Sequence, residues 1–330
     1  MHRGIVEIMQ HPNFLNPRYY DVDYKNSPLR HLKSVARVSG PALMSCAMAA
    51  VLFSISPVSS RWISTSQLRP GEPQWTTYVD GLTSNNVNTI FVDNEQVIWV
   101  GTNNGIDRFD GRWQSLRAND GLPAGAIRAI AQTTDGQIWA GGDQGLAQLK
   151  RSPSDDQWHA TIADQLPGPI YALLVTVDGQ LWAADDTGVA TYDGTSWTHT
   201  PLNQPGGATA RVLALAEGSD GRVWAGGDAL HRIDPQTNQI VAIDDKPFNN
   251  RIQALTVAPA RGRWTETLWV GTAGQGLWSR TDHWRHFGMP QPGQSAEGVA
   301  SDNILALHSD SDGTLWIGTN GSGVSLFNPD

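Results

Sequence analysis

The sequence predicts an all-β repeat protein, and three observations carry that reading. A cassette of the form aliphatic-Trp-aliphatic-small recurs, with its tryptophan at Trp99, Trp139, Trp182, Trp224, Trp269 and Trp316. The intervals are 40, 43, 42, 45 and 47 residues, the period of a four-stranded propeller blade. Asp-Gly stands at 135–136, 178–179, 220–221 and 312–313, a few residues before four of those tryptophans, where a hairpin needs φ > 0. The 34 Gly and 14 Trp of the chain fall largely at such repeated positions, so the composition follows from the repeat. The predicted fold is a single six-bladed β-propeller of four-stranded blades.

The chain ahead of the repeats reads differently. Residues 1–37 are polar with no sustained period and are expected to be a basic, disordered tail. From Val38 to Ser60 there is no charged residue, and residues 38–58 suit a signal anchor or transmembrane helix, or the apolar region of a signal peptide. Arg30, His31, Lys33 and Arg37 just before it give the positive-inside arrangement. Residues 59–74 form a Ser/Pro/Gly linker. The propeller is expected over residues 75–330, anchored to a membrane by this segment or secreted after its cleavage.

Within each blade the innermost strand is expected to begin at Val87, Ile127, Ile170, Val212, Ile252 and Ile304, and the tryptophan marks the second strand. The third opens near Gly105, Gly145, Gly188, Leu230, Gly276 and Gly323; the fourth near Trp113, Trp158, Trp197, Ile240 and Trp284. Blade six runs out of chain before a fourth strand. Trp75–Val79 matches that pattern at the other end, so the ring is expected to be closed by this N-terminal strand, leaving no bare edge. Blade one has Asn94-Glu95-Gln96 in place of the Asp-Gly turn, and blade five has a longer loop over Ala258–Thr267. The tryptophans read as wedges between blades rather than as sugar-stacking platforms.

The net charge of −9 is uneven. Residues 1–74 hold eight Lys/Arg against four Asp/Glu, leaving 15 against 28 in the remainder. A propeller that acidic is a poor nucleic-acid binder, since phosphate neutralisation supplies most of that affinity. The single cysteine, Cys46, lies outside the repeats, so no disulfide staples the fold.

Two stretches carry a resemblance: GLTSNNVNTIFVDNEQVIWVGTNNGIDRFDG (Gly81–Gly111) and SDNILALHSDSDGTLWIGTNGSGVSLF (Ser301–Phe327). They resemble the two-component regulator propeller repeat, and the likeness extends over residues 75–330, more weakly in blades four and five. The resemblance implies an extracytoplasmic sensory propeller. Such arrays are usually longer and lead through an immunoglobulin-like domain and a membrane span to a histidine kinase. This sequence has six repeats, no immunoglobulin-like domain and no kinase or receiver sequence after Asp330, which implies either a piece of a longer sensor standing outside a bacterial inner membrane or a propeller that signals through a separate partner.

No catalytic motif stands out. Gly-x-Ser-x-Gly, the His-Glu-x-x-His pattern and a phosphate loop are absent. The one histidine cluster, His283 and His286, falls on opposite faces of a strand and cannot chelate one ion. No metal or cofactor is expected. Candidate recognition residues come from the ring of positions around the channel mouth, where the repeat departs from itself: Asn86, Arg128, Tyr171, Arg211, Arg251 and Asn303, with Asn104, Asp143, Asp186 and Asp228 from the loops between second and third strands. The three arginines are candidates to converge on a carboxylated ligand such as an acidic sugar. The expected partner is a small molecule, glycan or protein. The competing reading is a propeller enzyme, either a streptogramin-type lyase using one of His159, His199, His231 or His308, or a glycosidase using a carboxylate pair.

Overall fold

The computed structural model describes residues 6–9, 75–78 and 81–328, apart from 153, 155–156, 261–264 and 291–297. Except for Val6–Met9, the expected tail, apolar helix and linker lie outside these residues. Among the described residues no helix is long and apolar enough to cross a membrane.

Two strands precede the propeller, β1 (Val6–Met9) and β2 (Trp75–Tyr78). Blade one is β3 (Val87–Val92), β4 (Ile98–Thr102), β5 (Gly105–Phe109) and β6 (Trp113–Leu116). Blade two is β7 (Ile127–Gln132), β8 (Ile138–Gly142), β9 (Gly145–Arg151) and β10 (Trp158–Ile162). Blade three is β11 (Ala172–Val175), β12 (Leu181–Ala184), β13 (Gly188–Tyr192) and β14 (Trp197–Pro201). Blade four is β15 (Val212–Glu217), β16 (Val223–Gly227), β17 (Leu230–Asp234) and β18 (Gln239–Ala242). Blade five is β19 (Ile252–Ala258), β20 (Thr267–Thr272), β21 (Leu277–Arg280) and β22 (Trp284–Phe287); blade six is β23 (Ile304–Ser309), β24 (Leu315–Thr319) and β25 (Val324–Phe327). Strands pair in chain order and antiparallel within every blade. The sequence expectation of six blades holds, and only the blade-three start moves, from Ile170 to Ala172.

The junctions between blades bury most of the core. Five apolar clusters form, one at each junction from one/two to five/six. At the first, Trp99 is wholly buried and meets Trp158 of the next blade edge-on at 4.9 Å. Arg108, itself 5% exposed, lies 5.6 Å from the centres of both rings and ion-pairs with Asp110. At the second, Trp139 meets Tyr192 and Trp197. The glycine after the tryptophan strand is demanded by closeness: a Cβ on Gly141 would stand 2.5 Å from Ile170 Cγ2 of the next blade. Gly101, Gly226 and Gly271 repeat this against Ile127, Ile252 and Ile304. Blade three has the fully buried Ala184 instead, and the next blade opens there with the smaller Val212.

The expected closure is corrected. β2 pairs antiparallel with β1, in the register Val6–Tyr78 to Met9–Trp75, and not with β25. Blade six therefore has three strands among the described residues. A residue pattern shows that a segment suits an edge strand; it does not say whose edge the segment joins. The innermost strands pack side by side from β3 to β23, but β23 does not pack in this way on β3. Ile90 and Val92 on blade one, and Val324 and Leu326 on blade six, are 45–65% exposed. Among the described residues the junction between blades six and one is therefore the one without this packing.

Candidate functional site

The connections into the innermost strands and the loops between second and third strands lie side by side on one face. Backbone hydrogen bonds fix this: Asn103 N donates to Asn86 O (3.1 Å), Asp143 N to Ala126 O (3.0 Å), Asp228 N to Arg211 O (3.0 Å) and Asn320 N to Asn303 O (3.0 Å). The variable ring positions and the loop carboxylates are thus brought into contact.

The three candidate arginines each meet a candidate aspartate. Arg128 donates through Nε to Asp143 Oδ1 at 2.7 Å within blade two. Arg211 Nε reaches Asp186 Oδ1 of the preceding blade at 2.6 Å, and Arg251 Nε reaches Asp228 Oδ1 of the preceding blade at 2.8 Å. The other oxygen of two of these carboxylates is also used, Asp143 Oδ2 accepting from Ala126 N (3.1 Å) and Asp228 Oδ2 from Arg211 N (3.3 Å). Each aspartate is anchored to the backbone or to a neighbouring side chain, and each guanidinium is held by its Nε edge. Tyr171 joins the arc. Its hydroxyl donates to Asp186 Oδ1 at 2.9 Å, and its ring lies 5.9 Å from Arg128 Cζ and 5.7 Å from Arg211 Cζ. Burial, then the Asp186 hydrogen bond and charge, hold the Tyr171 phenol above its ordinary range, so it stays a neutral donor.

Seven of the ten sequence candidates are therefore one network of three ion pairs and a phenol, charge-balanced within itself. The arginine side chains remain 38–48% exposed. The other three candidates stand apart. Asn86 uses its backbone, its N–H bonding Ser84 Oγ at 3.2 Å. Asn104 donates from its side chain to Thr83 O at 3.5 Å. Asn303 has a buried Oδ1 with no hydrogen-bond donor among the described residues, as does Gln253 Oε1 one blade earlier.

Sequence reasoning missed the buried carboxylate of blade one. Asp107 is fully buried and accepts from Thr83 N (2.8 Å), Thr83 Oγ1 (2.9 Å) and Ser115 Oγ (2.6 Å). Burial pushes its carboxyl up from the usual carboxylate value. It pins the approach to β3 rather than facing the mouth. Asp185, beside Asp186, turns instead to Thr187 and to His199 Nε2 at 2.9 Å. The adjacent pair does not act on one point. Among the described residues no group of three His, Cys, Asp or Glu side chains is placed to hold a metal ion.

Segments 81–104, 121–144 and 298–321, in blades one, two and six, match the family model described as two component regulator propeller. Three of its blades thus carry two component regulator propeller repeats. No curated protein matches it in sequence. Among solved structures, these repeats superpose on the extracellular domain of the putative one component system BT4673 from B. thetaiotaomicron (22% identity, TM-score 0.61), covering 76% of this chain and 34% of that one. PorZ, a bacterial surface component of the type-IX secretion system of Porphyromonas gingivalis, is 20% identical over 77% of this chain and 41% of its own, with a TM-score of 0.57. A catalytically inactive virginiamycin B lyase from Staphylococcus aureus, with quinupristin, is 16% identical over 78% of this chain and 85% of its own, with a TM-score of 0.61. These likenesses establish the propeller fold. The chain spans about a third of the BT4673 domain.

Proposed function

We propose that this chain is a non-catalytic sensory module, an extracytoplasmic propeller that binds a small molecule, glycan or protein through its loop face and passes occupancy to a signalling partner. The observation that carries the proposal is the Tyr171 network. At ring positions where a repeat has no need to vary, the chain places three guanidiniums, each braced by an aspartate, around one phenol. Bracing through Nε costs a ligand little ordering entropy and leaves the remaining guanidinium donors for recognition. The repeat family supports the sensory role, and the extracellular BT4673 domain supports an extracytoplasmic setting.

The placement of histidines favours recognition over a lyase. His159 and His199 sit on the outermost strands, His231 is 3% exposed, and His308 lies near the far end of β23. The carboxylates at the mouth are committed to guanidinium and backbone donors rather than facing one another, as a glycosidase pair would.

The test is saturation-transfer NMR on the full chain with fractionated cell-envelope and medium extracts. A ligand recovered unchanged, whose signal disappears in Tyr171→Ala and Arg211→Ala, supports the reading. A ligand converted to product, or one bound equally by both variants, overturns it.

A further inference from the structure

The loop face holds a second arginine setting, and its chemistry is the opposite of the Tyr171 network. Between the β4–β5 loop and the connection from β6 to β7 lies a cavity of about 290 Å³, near the lower end of small-ligand pockets at ~300 Å³. Arg117, Asn103, Asn104 and Asn119 line it, and no carboxylate does. The Arg117 guanidinium makes no hydrogen bond or ion pair among the described residues, in contrast to Arg128, Arg211 and Arg251. Its charge acts on Asp107, which is fully buried and already bonded by Thr83 and Ser115.

The amides are partly oriented. Asn88 Nδ2 donates to Asn103 Oδ1 at 3.0 Å, which leaves the Asn103 NH₂ group as a donor. Asn104 commits its NH₂ to Thr83 O at 3.5 Å, which leaves its Oδ1 as an acceptor. Asn119 is exposed on the short 3-10 turn Ala118–Asp120, held in place by Arg117 N donating to Asp120 Oδ2 at 2.8 Å. One free guanidinium fork, with amide donors and acceptors and no aromatic plate, suits a small ligand that carries one carboxylate and several hydroxyls. A single unpaired cation on a strongly acidic propeller disfavours a phosphate dianion.

We propose that this blade-one pocket binds a carboxylate-bearing polyol of monosaccharide size, the hexuronate class, with Arg117 taking the carboxylate and Asn103, Asn104 and Asn119 the hydroxyls. The proposal rests on the reading of the loop face as a recognition surface, but it assigns the charged group to Arg117 and not to the channel arginines.

The experiment is isothermal titration of the full chain with sodium D-glucuronate at millimolar concentration, with D-glucose and inorganic phosphate in parallel. Glucuronate should bind, and glucose and phosphate should bind at least tenfold more weakly. Arg117→Gln should weaken glucuronate at least tenfold and Asn119→Ala several-fold. Arg112→Gln, an exposed arginine on the β5–β6 turn of the same blade, should leave it within twofold. No glucuronate binding by the folded wild type, or equal binding by Arg117→Gln, overturns the pocket without touching the Tyr171 network. Binding lost in Arg211→Ala but kept in Arg117→Gln also overturns it, and moves the carboxylate to the channel.

Discussion

The second and the sixth junctions of the arc use the same residue types and end differently. At blades two/three, Trp139 is 3% exposed, with Tyr192 at 5.2 Å and Trp197 at 5.7 Å from the next blade. Blade six offers Trp316 at the same repeat position. Its indole donates to Asp310 Oδ2 at 2.8 Å, as Trp99 does to Asp93, yet it has no ring contact among the described residues. Blade one holds Phe109 and Trp113 at the positions of Tyr192 and Trp197, and these pack on each other at 4.9 Å. Among the described residues Trp316 and the Phe109–Trp113 pair make no ring contact with each other. A repeat encodes an interface with a neighbour, so the end blades carry the same residue types as the inner ones.

The largest expected difference is between the two tryptophans. Trp139→Ala should cost about 3–5 kcal/mol by denaturant unfolding, the range for emptying a buried aromatic site. Trp316→Ala should cost about 1–2 kcal/mol, its hydrogen bond and partial burial only. Equal losses would mean that the arc seals in solution and that Trp316 then sits against blade one.

The glycines sharpen the same contrast. Gly141→Ala drives a methyl into Ile170 and should cost about 1–3 kcal/mol, as overpacking does. At Gly318 the nearest atom to an added Cβ is Ala306 Cβ of its own blade, at 3.3 Å. Gly318→Ala should stay within about 0.5 kcal/mol of wild type, because lost unfolded-state freedom offsets the tighter contact. Matched unfolding curves for the two variants decide it.

What the sequence made legible follows the same division. Blade count, strand order and the core role of the tryptophans were readable because each is written six times. The members of the Tyr171 network were readable as candidates because Arg128, Tyr171, Arg211 and Arg251 break a pattern. The pairing within it was not: Arg128 takes the aspartate of its own blade, whereas Arg211 and Arg251 take that of the blade before. That choice depends on loop length and blade rotation, which no periodicity reports. Arg117 was missed because it lies in a connection, outside the aligned ring positions. The only available signal was an arginine beside three asparagines once blade one is folded. The closing strand failed for a related reason, since Trp75–Tyr78 has the right pattern but pairs with β1.

The junction of blades three and four carries a buried titratable group. His231 is 3% exposed, its Nε2 lies 2.9 Å from Asn203 O, and its Nδ1 is buried without a partner. Because Asn203 O can only accept, Nε2 carries the proton and Nδ1 is bare. Burial holds the imidazole below its ordinary value, outweighing the Asn203 bond and the Asp244 charge. The unfolded chain takes up this proton near pH 6.5 while the folded chain resists it. Stability is therefore complete above that pH and lost as pH falls below it. His231→Gln keeps a donor for Asn203 and should flatten the decline of Tm below pH 6.5. A decline of unchanged slope would remove His231 as its source.

The smallest effect belongs to the seam. Leu326 is 57% exposed on β25, whose outer edge bonds no strand among the described residues. In a core strand, replacing leucine with glutamine would bury an unpaired amide and cost several kcal/mol; here Leu326→Gln should leave stability within about 0.5 kcal/mol. Its effect should show instead in association. An exposed apolar face is a template for contact between molecules, so sedimentation at rising concentration should show less self-association for Leu326→Gln than for wild type. If the variant is instead clearly destabilised while its association is unchanged, the residue is covered within its own chain. The contrast between five sealed junctions and one open one would then belong to a single conformation of a ring that closes.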